Sequence, residues 1–225
     1  MIDLDSFIAT LQVGGVMIYP LLGLTVLAMV IVLEKGFVYA VRTRLPARLT
    51  RLVETYGFAW SDVETQVAGL GRRNYFGAFF RVILENRTHP AWWVGSRAAD
   101  EAGLIEKSLG RWLWILETIV TAAPLLGLLG TITGMVRAFK LFGEGGLVDP
   151  AGVTGGVAEA LIATALGLFI ALVALFAFNF FSHRQAEIMD EMERLGTRLV
   201  DHIRLDGEKA GAEGMRGEGA RNEAA

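Results

Sequence analysis

Two long apolar stretches of this sequence carry polar side chains that could act on an ion crossing a membrane. Residues 121–135 mix glycines and threonines with leucines, and residues 155–168 add a single acid, Glu159. Polar groups within a membrane-spanning segment are costly, and they usually face a protein interior or a water-filled path. Hydroxyl groups both donate and accept hydrogen bonds, so they can hold water or an acid in either protonation state. The pattern therefore indicates a transport site.

Each polar residue also has a plainer interpretation. A lone threonine in a membrane helix often only bonds a carbonyl of its own helix, and this applies to Thr131, Thr133 and Thr164 taken singly. Glu159 closely follows a Gly-Gly pair. It lies either at membrane depth, at a cost of about 3 kcal/mol, or at the outer interface against headgroups and water. Both interpretations of Glu159 stay open.

Small residues recur along one face of the first stretch. Steps of four, three and four residues separate Ala123, Gly127, Gly130 and Gly134. Because lipid provides no hydrophobic drive for helix association, membrane helices meet where small residues allow close backbone approach. Pro124 removes one backbone hydrogen bond and predicts a kink. We expect these residues to pack helices together. Packing is either their whole role, or they also lie beside an ion path.

The composition is that of a membrane protein. Of 225 residues, 53% are hydrophobic and only 20% are charged, with a mean hydropathy of +0.44. A soluble domain of this length is normally more polar. Residues 13–33 carry no charge, and a helix of that length spans about 30 Å. Two further blocks hold one acid each, so the sequence predicts an all-α membrane protein with three transmembrane helices extended by long cytoplasmic helices. The net charge of −3 argues against a nucleic-acid partner.

Basic residues are concentrated between the first and second spans. From Lys35 to Arg111 there are twelve Lys and Arg against seven Asp and Glu, whereas residues 141–154 contain no base. By the positive-inside rule the long loop and the C-terminal tail are cytoplasmic, and the N-terminus is outside. Arg137 and Lys140, near the outer end of span two, are expected to snorkel to the interface. The predicted segments are a lead-in (1–12), transmembrane helix 1 (13–35), a cytoplasmic helical loop (36–111), transmembrane helix 2 (112–137), a short outer loop (138–155), transmembrane helix 3 (156–182), a cytoplasmic helix (183–206) and a disordered tail (207–225).

The cytoplasmic segments contain three local signals. Apolar residues at three- and four-residue steps predict a stripe that packs against the loop helices; they are Ile188, Met192, Leu195 and Leu199. Ser61 and Glu64 have the spacing of a capping box, which predicts a helix start at Ser61. Residues 207–225 are rich in Gly, Ala and Glu without a stripe, which favours disorder.

The motifs of spans two and three resemble those of a known family. Residues 123–131, Ala-Pro-Leu-Leu-Gly-Leu-Leu-Gly-Thr, followed by Gly134-Met135, resemble the signature of the MotA/TolQ/ExbB proton channel family. Residues 158–168, Ala-Glu-Ala-Leu-Ile-Ala-Thr-Ala-Leu-Gly-Leu, do so as well. In span one, Gly14-Gly15, Pro20-Leu21-Leu22 and Leu33-Glu34-Lys35 are similar to the ExbB branch. Flagellar members have four spans, so three spans favour the ExbB/TolQ branch.

The resemblance implies an ExbB-like stator subunit of a motor driven by the proton-motive force in the bacterial inner membrane, which makes the outer side the periplasm. It implies a homo-oligomeric ring, typically a pentamer, around the helices of a single-span ExbD/TolR-like partner that supplies the proton-carrying aspartate. A TonB-like protein would receive the energy. By motif, Thr131 and Thr164 would line the ring interior, Glu159 would lie near the outer entrance, and Gly167 would pack helices. Family members commonly have a proline where Val173 stands, so a straighter span three is expected.

Two alternative functions are kept. A TolQ-like subunit would serve envelope maintenance, although the residues of the span-two motif favour the ExbB branch. A structural scaffold would use the same polar groups only to join helices. No cofactor, metal or catalytic activity is expected, because no histidine lies in a span and no nucleophile–base set or metal-ligand spacing is visible. The residues do not decide between protons and sodium.

Overall fold

A computed structural model describes residues 15–55, 57–140 and 150–222, with side chains described for 15–55, 57–140 and 151–209. The described residues form seven α-helices and no strand, which confirms the all-α prediction, while the ring stays a prediction. The helices are α1 (Ile18–Arg42), α2 (Ala47–Glu54), α3 (Trp60–Ala68), α4 (Tyr75–Asn86), α5 (Ala91–Gly110), α6 (Leu113–Lys140) and α7 (Pro150–Asn222). Three helical stretches, Ile18–Arg42, Ala91–Lys140 and Ala151–Lys209, are long and apolar enough to cross a membrane.

The ends of the long helices follow from local chemistry. Pro20 lies in the first turn of α1 and Pro150 opens α7. At these positions the missing N–H has no helical partner in any case. Trp112 has a φ of 72° and separates α5 from α6, because a left-handed residue interrupts the helical hydrogen-bond ladder. α6 continues through Pro124 to Lys140.

The chain divides into two compact units, of which the first comprises Met1–Lys35 and Arg111–Ser182. Its core combines large aliphatic side chains with alanines; the buried residues include Leu21, Ile31, Leu116, Ile119, Ala123, Ala160, Ala163 and Ala174. Other faces of the same helices expose large apolar side chains, such as Phe169 at 64% and Phe176 at 67%. Such a surface is stable against lipid tails or against another apolar surface, and not against water.

The second unit comprises Gly36–Gly110 and His183–Ala225. In it α2 to α5 pack in sequence, and the predicted stripe of α7 is buried as expected; its members are Ile188, Met192, Leu195 and Leu199. Gly196 of α7 lies under the ring of Phe79 from α4, where an added β-carbon would be 2.7 Å from Phe79 Cζ. Trp60 Nε1 donates a hydrogen bond of 2.9 Å to Asp206 Oδ2. The amphipathic part of α7 therefore provides the surface against which the short helices pack.

The predicted capping box at Ser61 is wrong. α3 begins one residue earlier, at Trp60, with Ala59 at the N-cap and no side-chain cap. The Glu64 carboxylate pairs with Arg87 instead, with 2.7 Å between Oε1 and Nη1. A guanidinium supplied by another helix outcompetes a backbone N–H for this carboxylate, because a charge-assisted bond is stronger than one to a neutral donor.

Helices extend into segments for which the sequence predicts irregular structure. Residues 138–140 of the predicted outer loop belong to α6, and residues 150–155 belong to α7. α7 runs without a break through Val173 and onward to Asn222, across most of the tail predicted to be disordered. Ala, Glu and Arg are good helix formers, and a helix that already exists extends more easily than a new one nucleates. The predictions for residues 1–12, 141–149 and 223–225 lie outside the described residues.

Candidate functional site

The small-residue face of α6 packs directly against the backbone of α7. A β-carbon added at Gly127 would lie 3.0 Å from the Ala163 carbonyl oxygen and 3.0 Å from Thr164 Cα. One added at Gly134 would lie 2.8 Å from the carbonyl oxygen of Gly156. Early residues of α6 thus meet late residues of this part of α7, so the two helices run antiparallel. Their separation leaves no room for a side chain larger than that of glycine at either position.

The same contact continues toward the other end of the helix pair. A β-carbon added at Gly167 would lie 2.5 Å from the Ala123 carbonyl oxygen, and one added at Gly130 would lie 2.5 Å from Ala163 Cβ. Ala123 is fully buried, whereas Pro124, beside it, is only partly buried. The structure therefore brings all the expected helix-packing residues except Pro124 together in one contact between α6 and α7.

Thr164 joins these two helices by a hydrogen bond. Its hydroxyl donates to the carbonyl oxygen of Gly127 on α6 over 3.0 Å. Because Gly127 has no side chain, the threonine can approach the backbone of α6 closely enough to make this bond. A bond across helices differs from the own-helix bond that a lone threonine usually makes. The Thr164 oxygen keeps lone pairs that can still accept a hydrogen bond from water or an acid.

Thr131 and Thr133 bond their own helix. The Thr131 hydroxyl donates to the Leu128 carbonyl over 2.6 Å, and the Thr133 hydroxyl donates to the Gly130 carbonyl over 3.0 Å. Thr131 is partly exposed at the edge of the α6–α7 contact, one helical turn, about 6 Å, beyond the carbonyl that Thr164 bonds. Among the described residues, no hydrogen bond joins Thr131, Thr164 and Glu159 to one another. The three predicted ion-pathway residues thus lie on one helix pair, each with a different hydrogen-bond partner.

Glu159 is held by an ion pair that the sequence interpretation missed. Arg137 Nη1 of α6 lies 2.8 Å from Glu159 Oε1 of α7. The glutamate side chain is 18% exposed and the arginine side chain 50%. Arg137 lies three residues before the end of α6, so the pair stands at that end of the helix pair. An antiparallel arrangement of α6 and α7 would have predicted this ion pair, because it places the last turn of α6 opposite the first turns of α7.

Gly15 closes over the same carboxylate. A β-carbon at this position would overlap the Glu159 carboxyl group, and the φ of Gly15 is 69°. Both the close approach and the left-handed backbone require glycine here. The residue three positions before α1, the end of α6 and the beginning of α7 therefore converge on Glu159.

A second charge lies buried in the first unit, at Lys35. Its side chain is fully buried, and its Nζ is 3.7 Å from Glu34 Oε2. Lysine is rarely buried without compensation. Lys35 is thus part of a packed interior, whereas the side chain of its partner Glu34 is 39% exposed.

The chemistry available on the helix pair is hydrogen bonding and a fixed pair of opposite charges. No group of three His, Cys, Asp or Glu able to hold a metal occurs among the described residues. Glu117 and Glu159 are the only acids in α6 and in residues 150–182 of α7. Hydroxyls can solvate a proton carrier, but the two acids lie near opposite ends of the helix pair, and a hydrocarbon layer is about 30 Å thick. Between these two acids the helix pair offers hydroxyl groups and no carboxyl group.

Three apolar helical stretches, two of them joined by glycine-mediated backbone contact, define an all-helical multi-pass membrane protein. The model of the MotA/TolQ/ExbB proton channel family matches residues 74–194 of this chain. That match contains all of α6 and the apolar part of α7, and begins after α1. The chain belongs to the MotA/TolQ/ExbB proton channel family.

Relatives named for biopolymer transport agree with this assignment. Over 211 residues the chain is 33% identical to ExbB-like protein 1 of Synechocystis sp., covering 87% of this chain and 77% of the relative. ExbB-like protein 3 of the same organism is 32% identical over 176 residues, covering 75% and 81%. The biopolymer transport protein ExbB of Xanthomonas campestris is 41% identical over 87 residues, covering 39% of this chain and 34% of the relative.

Proposed function

We propose that this chain is the ExbB-like subunit of an inner-membrane stator driven by the proton-motive force. With an ExbD/TolR-type partner it conducts protons and transmits energy to the cell envelope for TonB-dependent transport. The observation that carries the proposal is the position of the family match. Residues 74–194 include both α6 and the apolar part of α7, the two helices on which Thr131, Glu159 and Thr164 lie.

The proposed mechanism uses the partner's acid as the proton carrier. The helix pair offers hydroxyls but no acid deep within it, so the carboxyl group has to come from a second chain. Protonation neutralises that carboxyl and lets it pass the surface around Thr131 and Thr164, whose oxygens can accept or donate a hydrogen bond. The Arg137–Glu159 pair stands at the periplasmic end in this proposal, where it shapes the entrance.

The proposed assembly is a homo-oligomeric ring, with five copies as the expectation from the ExbB branch. The exposed apolar faces of α6 and α7, including Leu125 at 66% and Phe176 at 67%, are suited to neighbouring copies and to the lipid bilayer. The excess of basic residues in the loop supports a cytoplasmic second unit and C-terminus and a periplasmic N-terminus.

A non-conducting scaffold is the second candidate, and the Thr164 hydrogen bond is the observation that favours it. A hydroxyl that bonds the neighbouring helix over 3.0 Å serves packing whether or not an ion passes. Replacing Thr164 therefore perturbs assembly under both proposals and cannot separate them. Thr131 can separate them, because its bond stays within α6 and its loss leaves the helix contact intact.

The experiment compares Thr131→Val with Thr131→Ser and with the control Thr118→Val in complexes co-expressed with the single-span partner. Thr118 also bonds a carbonyl of its own helix, over 2.8 Å, and is exposed. Native mass spectrometry measures assembly, and proton uptake by vesicles measures conduction. We expect Thr131→Val to assemble normally with uptake reduced at least about tenfold, and the serine and control variants to conduct normally. Wild-type uptake by Thr131→Val would remove Thr131 from the pathway, and failed assembly would favour the scaffold.

A further inference from the structure

A cavity of about 740 Å³ opens in the second unit where the apolar parts of α1 and α7 give way to charged residues. Its buried floor consists of Tyr39, Phe76 and Ile188. Its rim is charged, with Arg44 from the α1–α2 connection and Arg184 from the first cytoplasmic turn of α7. The volume lies within the range of small-molecule sites, about 300–1,000 Å³. The cavity lies beside the ends of two predicted spans in the sequence, and in the orientation proposed above this is the level of the cytoplasmic headgroups.

Arg44 is held in place by bonds that leave the tip of its guanidinium available. Asn74, only 8% exposed, donates from Nδ2 to the Arg44 carbonyl oxygen over 2.7 Å and accepts from Gly77 N over 2.9 Å. Arg44 Nε donates to the Ala40 carbonyl over 2.8 Å. In the part of the chain that the structure describes, no hydrogen bond or ion pair engages the two terminal nitrogens of Arg44. The backbone and the stem are thus fixed while up to four N–H groups remain for a ligand.

The two acids on the rim each pair with an arginine other than Arg44. Glu187 accepts a bond of 2.7 Å from Arg184, and this bond holds the pKa of Glu187 below its ordinary value. Glu191 receives two nitrogens of Arg194, at 2.8 Å and 3.0 Å. Arg194 also pairs with Glu54, at 2.6 Å, so the acids and bases around the rim balance. Arg44 is the rim base whose terminal nitrogens meet no acid among the described residues, so it is the group available to an anion.

We propose that this cavity binds the phosphodiester of a membrane phospholipid, with the phosphate on Arg44 and Arg184 and the glycerol end on the aromatic floor. Guanidinium groups bind phosphate oxygens in a two-pronged geometry that an ammonium group cannot match. Basic pockets at the cytoplasmic ends of membrane helices are suited to lipid headgroups. Free phosphate could also bind the guanidinium groups, but it has no apolar part to contact the floor formed by Tyr39, Phe76 and Ile188.

The test uses the full chain purified in mild detergent. Native mass spectrometry measures the binding of a short-chain phosphatidylglycerol and, separately, of inorganic phosphate. The variant is Arg44→Gln, and its matched control is Arg42→Gln, which removes the same charge from the same region but does not line the cavity. Because Asn74 bonds the backbone of residue 44, we expect Arg44→Gln to keep the fold, which circular dichroism checks.

We expect the wild type and Arg42→Gln to bind the phospholipid alike, and Arg44→Gln to bind it at least about tenfold more weakly. Inorganic phosphate should bind at least tenfold more weakly than the phospholipid. Equal losses in the two variants would reduce the effect to general surface charge and overturn the proposal. If inorganic phosphate bound as tightly as the phospholipid, the proposal that the ligand is a lipid would be overturned.

Discussion

Gly167→Ala should force α6 and α7 apart and destabilise the first unit. The new β-carbon would stand 2.5 Å from the Ala123 carbonyl oxygen and 3.1 Å from Gly127 Cα. Ordinary contacts of a β-carbon begin at 3.4 Å. Both obstacles are backbone atoms, so no side chain can rotate away and the helices have to separate by about 1 Å. That movement stretches the Thr164 bond to Gly127 from 3.0 Å beyond hydrogen-bonding range.

The net cost follows from two opposing terms. Overpacking a close contact costs about 3 kcal/mol when neither side can yield. Alanine regains about 1 kcal/mol of helix propensity that glycine lacks. We therefore expect a loss of about 2 kcal/mol in the free energy of unfolding. Gly23→Ala is the matched control, because a β-carbon at Gly23 in α1 meets no atom within 4 Å, and this variant should be neutral or slightly stabilising.

Thermal unfolding of the two purified variants in detergent, followed by circular dichroism, checks this prediction. Gly167→Ala should unfold at a clearly lower temperature than the wild type, and Gly23→Ala at the same temperature or a higher one. Equal unfolding temperatures for Gly167→Ala and Gly23→Ala would refute the close backbone contact between α6 and α7.

Three further predictions concern single hydrogen bonds and ion pairs. Thr164→Val should cost about 0.5–1 kcal/mol of stability, because the valine cannot donate to the α6 carbonyl; thermal unfolding measures this. A double-mutant cycle of Arg137→Gln and Glu159→Gln should give a coupling energy of about 0.5 kcal/mol, since the arginine half of the pair is exposed. The Glu187 carboxyl should titrate below its ordinary pKa, because the bond from Arg184 favours the ionised form. The pair thus stabilises the fold at neutral pH and loses that effect as pH falls through the lowered pKa, and Arg184→Gln should raise the midpoint seen by NMR.

Each of these predictions has its own control. Thr131→Val removes a hydroxyl that bonds only α6, so a stability loss equal to that of Thr164→Val would contradict the cross-helix bond. High salt should weaken the coupling of Arg137 with Glu159, and a coupling of zero at low salt would contradict the pair. A Glu187 midpoint unchanged by Arg184→Gln would assign the shift to another cause.

Periodic signals allowed much of the fold to be predicted from the sequence. The stripe that contains Met192 and Leu195 follows from a spacing of three and four residues, and both side chains are buried. The three spans follow from long apolar blocks with at most one acid each, because length and composition are enough to identify a membrane-spanning helix. Disorder was predicted for residues 207–225, whereas α7 continues to Asn222. Composition indicates how an isolated segment behaves and does not account for a segment that extends an existing helix.

The candidate site was harder to predict from the sequence, because its hydrogen bonds and ion pair join residues that are far apart in the sequence. Periodicity places Gly127 on a small-residue face but does not say which residue of the next helix stands opposite. The Thr164–Gly127 bond and the Arg137–Glu159 pair depend on the antiparallel register of α6 and α7. A side chain's local preference, such as the capping box expected at Ser61, fails when a residue from another helix competes for the same group.

Proton flux into liposomes tests the central claim most directly. Vesicles containing this chain alone are compared with vesicles containing the chain and its co-expressed single-span partner, under a pH gradient with a pH-sensitive dye inside. We expect flux only when both proteins are present, because the α6–α7 pair has no acid between Glu117 and Glu159, which lie near its opposite ends. We also expect flux to fall in Thr131→Val and to persist in Thr118→Val. Full flux from the chain alone, or none with a correctly assembled partner, would contradict the proposed function.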